Sequence, residues 1–413
     1  MLLTAVFFVF LASPVRTVTD SVWTTYTARS LVASLDADLD EFEPLLVRKH
    51  DFQVDRIDDH AYYSVPLLVS VVAVPTMLVV SVLDPGGIDV DLESGSPQPY
   101  DGVTAAALAA LTSLVVFGFA WRSTRRIGVA LAAGLLFAFG TQAFSTASRS
   151  LWMHTPSMFL LACACYCAVR LRDARRFVCF LGVSLALACF VRPTNAVAVV
   201  CFGIWAWWTD RDAGRVATVA GLAVGVAMIG VNLAVFGRPL QPYFSGSRLE
   251  VSATTVEALV GNLVSPARGL FVFVPLAALS CWGALRKRRA GTFSGLDAAI
   301  GGTIVAYWVV VSCFPHWWGG WSYGPRFLAD IAPLIVWFLI PVLQAAAPVA
   351  PDGRRLRIRA GVVALLVLVG GASVVVNGIG AIDQGATAWN RYPVDVDRAP
   401  HRLWDWTDPP FLR

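Results

Sequence analysis

The sequence predicts an all-α polytopic membrane protein, with about 11 transmembrane helices and one further helix lying along the outer membrane surface near residues 63–83. Three observations lead there. The 413 residues are 57% hydrophobic with a mean hydropathy of +0.64, too apolar for a soluble chain of this length, and runs such as 103–121 are long enough to cross a bilayer. Basic residues gather in five short connectors, at 122–126, 170–176, 210–215, 286–289 and 352–359, which hold 17 of the 32 Lys and Arg. Acidic residues gather elsewhere: 14–62 carries ten Asp or Glu against five Arg or Lys, and 84–101 carries five acids and no base. Basic clusters at helix ends mark the cytoplasmic face.

Threading the chain through these anchors gives spans near 2–14, 103–120, 127–143, 156–170, 177–191, 195–208, 216–236, 269–285, 295–313, 328–346 and 361–379. Together they form one membrane domain over 1–379, with a first outer loop at 15–102. A short extracytoplasmic tail follows at 380–413. The amino terminus is expected in the cytoplasm of a multi-pass cell-membrane protein. Spans shorter than about 17 residues must tilt or borrow flanking residues. The first span has no Lys or Arg before it, so it is either a retained helix, the expectation here, or a signal-peptide core cut near "LASP".

Residues 63–83 are apolar enough to cross. If they did, the two acidic segments would face opposite sides and every later Arg cluster would turn outward. A surface or dipping helix is therefore expected, and Pro66 and Pro75 are compatible with it; a true span with a missing partner is the alternative. The eight Cys lie nearly all in apolar runs without metal-ligand spacing and read as small packing residues.

In this threading every unusual motif falls on the outer face. Arg149, Arg192, Arg268 and Arg326 are cations on a side that ordinarily carries fewer of them. An anionic ligand would account for four together, since phosphate is bound best by Arg forks and by backbone N–H groups at Gly-rich turns. Each alone reads equally well as an Arg reaching for lipid headgroups. "PHWWGGWSYGPR" (315–326) holds His316, Trp317, Trp318, Trp321 and Tyr323. Its aromatics suit either an interfacial belt or stacking on a sugar ring. His154 and His316 are hydrogen-bonding residues, proton carriers or metal ligands; no ligand cluster is evident, so no metal is assigned and a divalent cation stays open. Asp20, at the lip of the first helix, is suited to act as general base on an acceptor hydroxyl, and by spacing alone it reads as a cap.

These elements together, a short first helix, an outer-loop Asp, a surface helix, about eleven spans and outer Arg residues, resemble the GT-C glycosyltransferases. The stretches "DADLDEF", "GTQAFSTASRSLWMHTP", "VRPTN", "NLVSPARGLFVFVP", "WWGGWSYGPRFLADIAP" and "RLWDWTDPPFLR" are similar to prokaryotic relatives of the protein mannosyltransferase and aminoarabinose transferase families. The resemblance implies a membrane enzyme that transfers a sugar from a polyprenyl-phosphate donor to a lipid, glycan or protein acceptor on the outer face. It implies Asp20 as the catalytic residue and Tyr62, Tyr63, Arg268, Tyr323 and Arg326 at the lipid phosphate. Two departures are visible: Asp20 is followed by Ser21, not by an acid, and "AYYSVP" lacks the Lys common in that segment. Other classes remain open: a lipid-linked sugar flippase, or an O-antigen-type polymerase or ligase. A flippase is expected to line both faces with charge and often to repeat internally. Nothing points to nucleic acid.

Overall fold

The computed structural model describes residues 1–17, 20–48, 53–83, 99–244, 249–347 and 353–413. The acidic stretch 84–98 and the loop tip 245–248 lie outside the described residues.

Each of the eleven apolar segments holds a helix: Leu2–Leu11, Pro99–Thr124, Ile127–Gly140, His154–Val169, Arg175–Val191, Ala196–Thr209, Arg211–Phe236, Leu276–Arg289, Gly295–Ser312, Ala332–Ala346 and Gly353–Ile382. Four stretches, Tyr100–Thr124, Arg211–Phe236, Gly295–Ser312 and Arg359–Ile382, are each long and apolar enough to cross a membrane unaided. Helix ends fall where local chemistry stops them. Asp210 accepts from the N–H groups of Asp212 and Ala213, capping Arg211–Phe236, and Gly237 in the left-handed region ends it. Ser294 and Asp297 form a reciprocal capping box for Gly295–Ser312.

The helices pack as a bundle without a soluble core. Arg211–Phe236 lies on Arg175–Val191, Leu276–Arg289 lies on Ala332–Ala346, and Pro99–Thr124 sits between Ile127–Gly140 and His154–Val169. Lipid tails are as apolar as Leu, so close backbone approach between helices depends on small residues. Gly283 is one such point: a Cβ there would fall 1.8 Å from the Phe338 carbonyl oxygen.

The expected span 269–285 is broken. A short turn, Leu270–Phe273, ends at Val274, and the long helix restarts after Pro275, because proline disfavours the helical conformation in the residue before it. The expected surface helix is also subdivided. Only Leu67–Val71 and Val74–Leu83 are helical, and residues 60–63 are strand. Val54–Ile57 and His60–Tyr63 form an antiparallel hairpin, with Val54 opposite Tyr63 and Ile57 opposite His60. Its turn is the pair Asp58–Asp59, with φ of 49° and 69°. Two successive left-handed residues match the right-handed twist of a two-residue hairpin, and Asp tolerates that conformation better than most. A helix outside the expected set, Ala253–Val264, precedes Arg268.

Candidate functional site

The segment after the first helix folds as a small lobe. Trp23, Tyr26, Phe42, Leu45 and Tyr63 form its buried centre, and the lobe presents Asp20 to the bundle. A chain of hydrogen bonds holds Asp20 and its neighbours. The Tyr63 hydroxyl donates to the Asp20 main-chain oxygen. The Ser21 hydroxyl donates to Asp101 at 3.3 Å. Asp101 in turn accepts from the Ser150 hydroxyl at 2.6 Å and from the Leu151 N–H. Burial pushes the Tyr63 phenol well above its ordinary value, so it stays a donor. Asp101 thus joins the Asp20 loop to the 140–153 segment.

The Asp20 carboxylate, 29% exposed, pairs with Arg326 at 2.8 Å. The Arg326 guanidinium stacks over Trp152, 4.5 Å from the ring centroid. Its Nε is buried and has no partner among the described residues. Gly319, with φ of 71°, lies beside it: a Cβ at Gly319 would come within 3.3 Å of that Nε. The turn that carries Arg326 therefore needs glycine both for its conformation and for the space the guanidinium occupies.

Next to the pair is a wholly buried group. His154 Nδ1 lies 2.7 Å from Asp330 Oδ1 and 2.7 Å from Arg192 Nη1. Arg192 donates to Asp330 and, at 2.7 Å, to the Tyr307 hydroxyl. Burial alone would lower the pKa of Arg192, but Asp330 and Tyr307 outweigh it and raise it, so the guanidinium is firmly charged. Asp20, Met153, His154, Arg192, Tyr243, Arg326 and Phe327 line a cleft of about 180 Å³. It offers a partly exposed carboxylate, the Arg326 guanidinium, whose Nε has no partner among the described residues, and aromatic walls.

Of the residues expected from the sequence, Asp20, Tyr63, His154, Arg192 and Arg326 meet at or around this cleft. The others lie elsewhere. Arg149 donates to the Phe10 carbonyl at 2.5 Å and to Ser148, closing the end of the first helix as basic side chains do at helix carboxyl termini. Arg268, 1% exposed, is taken up by the Trp318 carbonyl (2.8 Å), the Gly320 carbonyl (3.0 Å), the Ala267 carbonyl (2.8 Å) and Asn390 (2.6 Å). Tyr323 is buried, and its hydroxyl donates to the Val376 carbonyl at 2.7 Å. Tyr62 packs edge-on against Phe236. His316 is exposed and lies 5.0 Å from the Trp318 ring.

The tryptophans of 315–326 are covered by the carboxyl-terminal tail. Trp317 is buried with Trp389, Val396 and Leu403, and Trp318, Trp321 and Trp404 pack at their edge. Trp318 Nε1 donates to Asp397 at 2.7 Å and Trp321 Nε1 to Asp395 at 3.1 Å. The expectation that this loop presents stacking faces to a sugar gives way to a loop–tail clamp: Trp317 packs against Trp404, the Arg391 guanidinium lies over Trp321, and the Trp318 and Trp321 indoles donate to tail carboxylates.

Sequence reasoning missed Asp330, Asp101 and Trp152. It also missed the group Asp38, Asp40 and His60, whose ligand atoms lie within 4.8 Å of one another on the exposed lobe. Asp38 bridges to Tyr62, Asp40 accepts from the Ala61 N–H, and none of the trio lines the cleft.

The chain is thus a helical bundle with a lobe packed over its helix ends and a cleft between them, lined by the first-loop Asp20. No family model matches the chain and no curated protein matches it in sequence, but solved structures do in fold. ArnT, an aminoarabinose transferase from Cupriavidus metallidurans solved with undecaprenyl phosphate, superimposes with a TM-score of 0.59 at 14% identity, over 94% of this chain and 77% of ArnT. The Archaeoglobus fulgidus oligosaccharyltransferase in its apo form gives 0.52 at 10% identity, over 99% of this chain and 60% of that one. The archaeal oligosaccharyltransferase AglB from Archaeoglobus fulgidus, in complex with an inhibitory peptide and a dolichol-phosphate, gives 0.54 at 10% identity, over 99% of this chain and 60% of that one. At these identities the likeness establishes the fold.

Proposed function

We propose that the protein is a membrane glycosyltransferase. It moves a sugar from a polyprenyl-phosphate donor to a lipid, glycan or protein acceptor at the outer face of the cell membrane. The observation that carries this reading is the Asp20–Arg326 pair at the mouth of the cleft. The chemistry needs a base for the incoming hydroxyl and a cation for the departing phosphate, close enough to serve one anomeric carbon.

In the displacement, the acceptor oxygen bonds to the anomeric carbon as the carbon–oxygen bond to the lipid phosphate breaks. The bonding pair leaves with the phosphate, and the hydroxyl proton passes to Asp20. The configuration at the carbon inverts. Arg326, with a donor unused, turns to the phosphate, where its charge is worth most as the leaving group gains charge. That exchange also releases the Asp20 carboxylate to accept a proton. Tyr63 and Asp101 keep the Asp20 loop in place, and the buried Arg192–Asp330–His154 group fixes the opposite wall. The similar ArnT and AglB structures, solved with undecaprenyl phosphate and with a dolichol-phosphate, support a polyprenyl-phosphate lipid as donor.

The test is a transfer assay on full-length protein in lipid, with a panel of radiolabelled polyprenyl-phosphate sugars and membrane extract as acceptor, wild type beside Asp20→Asn. Transfer by the wild type that vanishes in the variant supports the enzyme and names the sugar. Absence of transfer from every donor, with labelled lipid crossing the bilayer instead, replaces the transferase with a flippase.

A further inference from the structure

A second concave site lies at the far end of the bundle. Helix Pro99–Thr124 starts beside the Asp20 loop, where Asp101 holds Ser21, and runs 26 residues, about 39 Å at 1.5 Å per residue. Helix His154–Val169 starts in the cleft wall and runs the same way for 16 residues. Both end at a pocket of about 500 Å³, bounded by Trp121, Arg122, Arg125, Tyr166, Arg170 and Asp173. The hydrocarbon core of a bilayer is about 30 Å thick, so this pocket sits at headgroup level in the leaflet opposite the Asp20 cleft.

Its charges do not balance. Three guanidinium groups face one carboxylate, and Asp173 is already shared by Arg122 and Arg170, each at 2.8 Å. Arg170 is further engaged by the Tyr166 hydroxyl at 3.0 Å and lies over the Phe177 ring. Arg125 is exposed and makes no side-chain hydrogen bond or ion pair among the described residues. It also stands in the left-handed region, with φ of 56°, a conformation that costs a long side chain about 1 kcal/mol or more. Trp121 and Tyr166 flank the pocket as aromatic side chains do at the level where headgroups meet acyl chains. A basic rim serving only to orient the protein needs no cavity; here the surplus charge lines a hollow large enough for a glycerophosphate.

We propose that this pocket binds the phosphodiester headgroup of an anionic phospholipid of the leaflet opposite the cleft. Arg125 and Arg122 take the phosphate, and Trp121 and Tyr166 bracket the glycerol end. Basic pockets between transmembrane helices are suited to such headgroups, and the shared chemistry with free phosphate is separated by the test.

Full-length protein in a non-ionic detergent is titrated with phosphatidylglycerol, with phosphatidylcholine and with inorganic phosphate, and bound lipid is counted by native mass spectrometry. Wild type, Arg125→Gln and Arg215→Gln are compared; Arg215 belongs to another basic connector and pairs with Asp212. Phosphatidylglycerol is expected to bind the wild type and Arg215→Gln alike and Arg125→Gln about fivefold more weakly, one arginine's share at a lipid surface. Equal binding by all three proteins, an equal loss in Arg215→Gln, or phosphatidylcholine binding as tightly would overturn the site. Displacement of the lipid by millimolar inorganic phosphate would overturn the lipid as its source. Arg125 is exposed and has no side-chain partner among the described residues, so its variant tests binding without threatening the fold.

Discussion

Arg326 and Arg268 look interchangeable in the sequence: each follows a Gly- or Pro-containing turn in an outer loop and each starts toward a helix. In the structure they belong to two regions with opposite character. Around Arg326 the protein is a cleft: its ion-pair partner Asp20 is still 29% exposed, and its guanidinium Nε has no acceptor among the described residues. Around Arg268 it is closed: four acceptors surround the guanidinium, and the Trp389 ring lies 5.6 Å away. A group whose hydrogen-bonding capacity is filled by its own chain holds structure together, and one with capacity left over is placed to meet something else. The same division runs through "PHWWGGWSYGPR": its tryptophans serve the clamp and its final arginine faces the cleft.

The largest effect expected from this division is on Asp20. Asp20→Asn removes the proton acceptor but keeps the shape, and should lower kcat by about 10²–10⁴-fold while the melting temperature holds. A fall in activity matched by unfolding would place Asp20 in the scaffold instead. On the clamp side, Trp389→Ala empties a site filled between Arg268 and Arg402, and should destabilise the protein by about 3–5 kcal/mol. Protein that stays folded should keep most of its transfer activity. Full stability together with lost activity would mean that the tail touches substrate.

A smaller effect sharpens the boundary of the lobe. The His60 ring lies 2.5 Å from Asp40, and this hydrogen bond, with the carboxylate's charge, raises the His60 pKa above its ordinary 6.5. The folded value exceeds the unfolded one, so the stabilisation is complete below pH 6.5 and fades as pH rises through the folded value. Amide protection of the hairpin 54–63, corrected for intrinsic exchange, should fall slightly over that window in the wild type and not in His60→Gln. Protection in both proteins that ignores pH removes the pair from the account.

Much of the fold is legible in the sequence because membrane solvation leaves few choices. Backbone groups in lipid must be paired within helices, so each of the eleven segments expected from apolar length and Arg placement holds a helix, while Ala253–Val264 went unforeseen. What stayed hidden depends on contacts far apart in the chain. The hairpin strands "VDRI" and "HAYY" are four residues each without clean alternation, and their Asp58–Asp59 turn has no glycine to mark it. Asp330 reads as a cap before an apolar helix; only its burial beside Arg192, 138 residues away, reveals a buried ion pair. Charge counting gives a signal for it, since an Asp entering an apolar segment needs a cation and Arg192 had no assigned partner. The clamp was illegible for a different reason: nothing local tells a tryptophan that awaits a ligand from one that awaits residues 389–404 of its own chain.

The comparison comes down to two arginines, and measuring both in one experiment tests it most directly. Arg326→Ala and Arg268→Ala would be assayed for sugar transfer per folded molecule and for melting temperature in the same lipid. The account predicts that Arg326→Ala loses about 10²–10³-fold in kcat, as when a transition-state donor is removed, with little change in melting. Arg268→Ala should melt at lower temperature and transfer sugar at close to the wild-type rate while folded. If Arg268→Ala melted like the wild type and lost as much turnover as Arg326→Ala, the clamp would be part of the active site and the division drawn here would be contradicted.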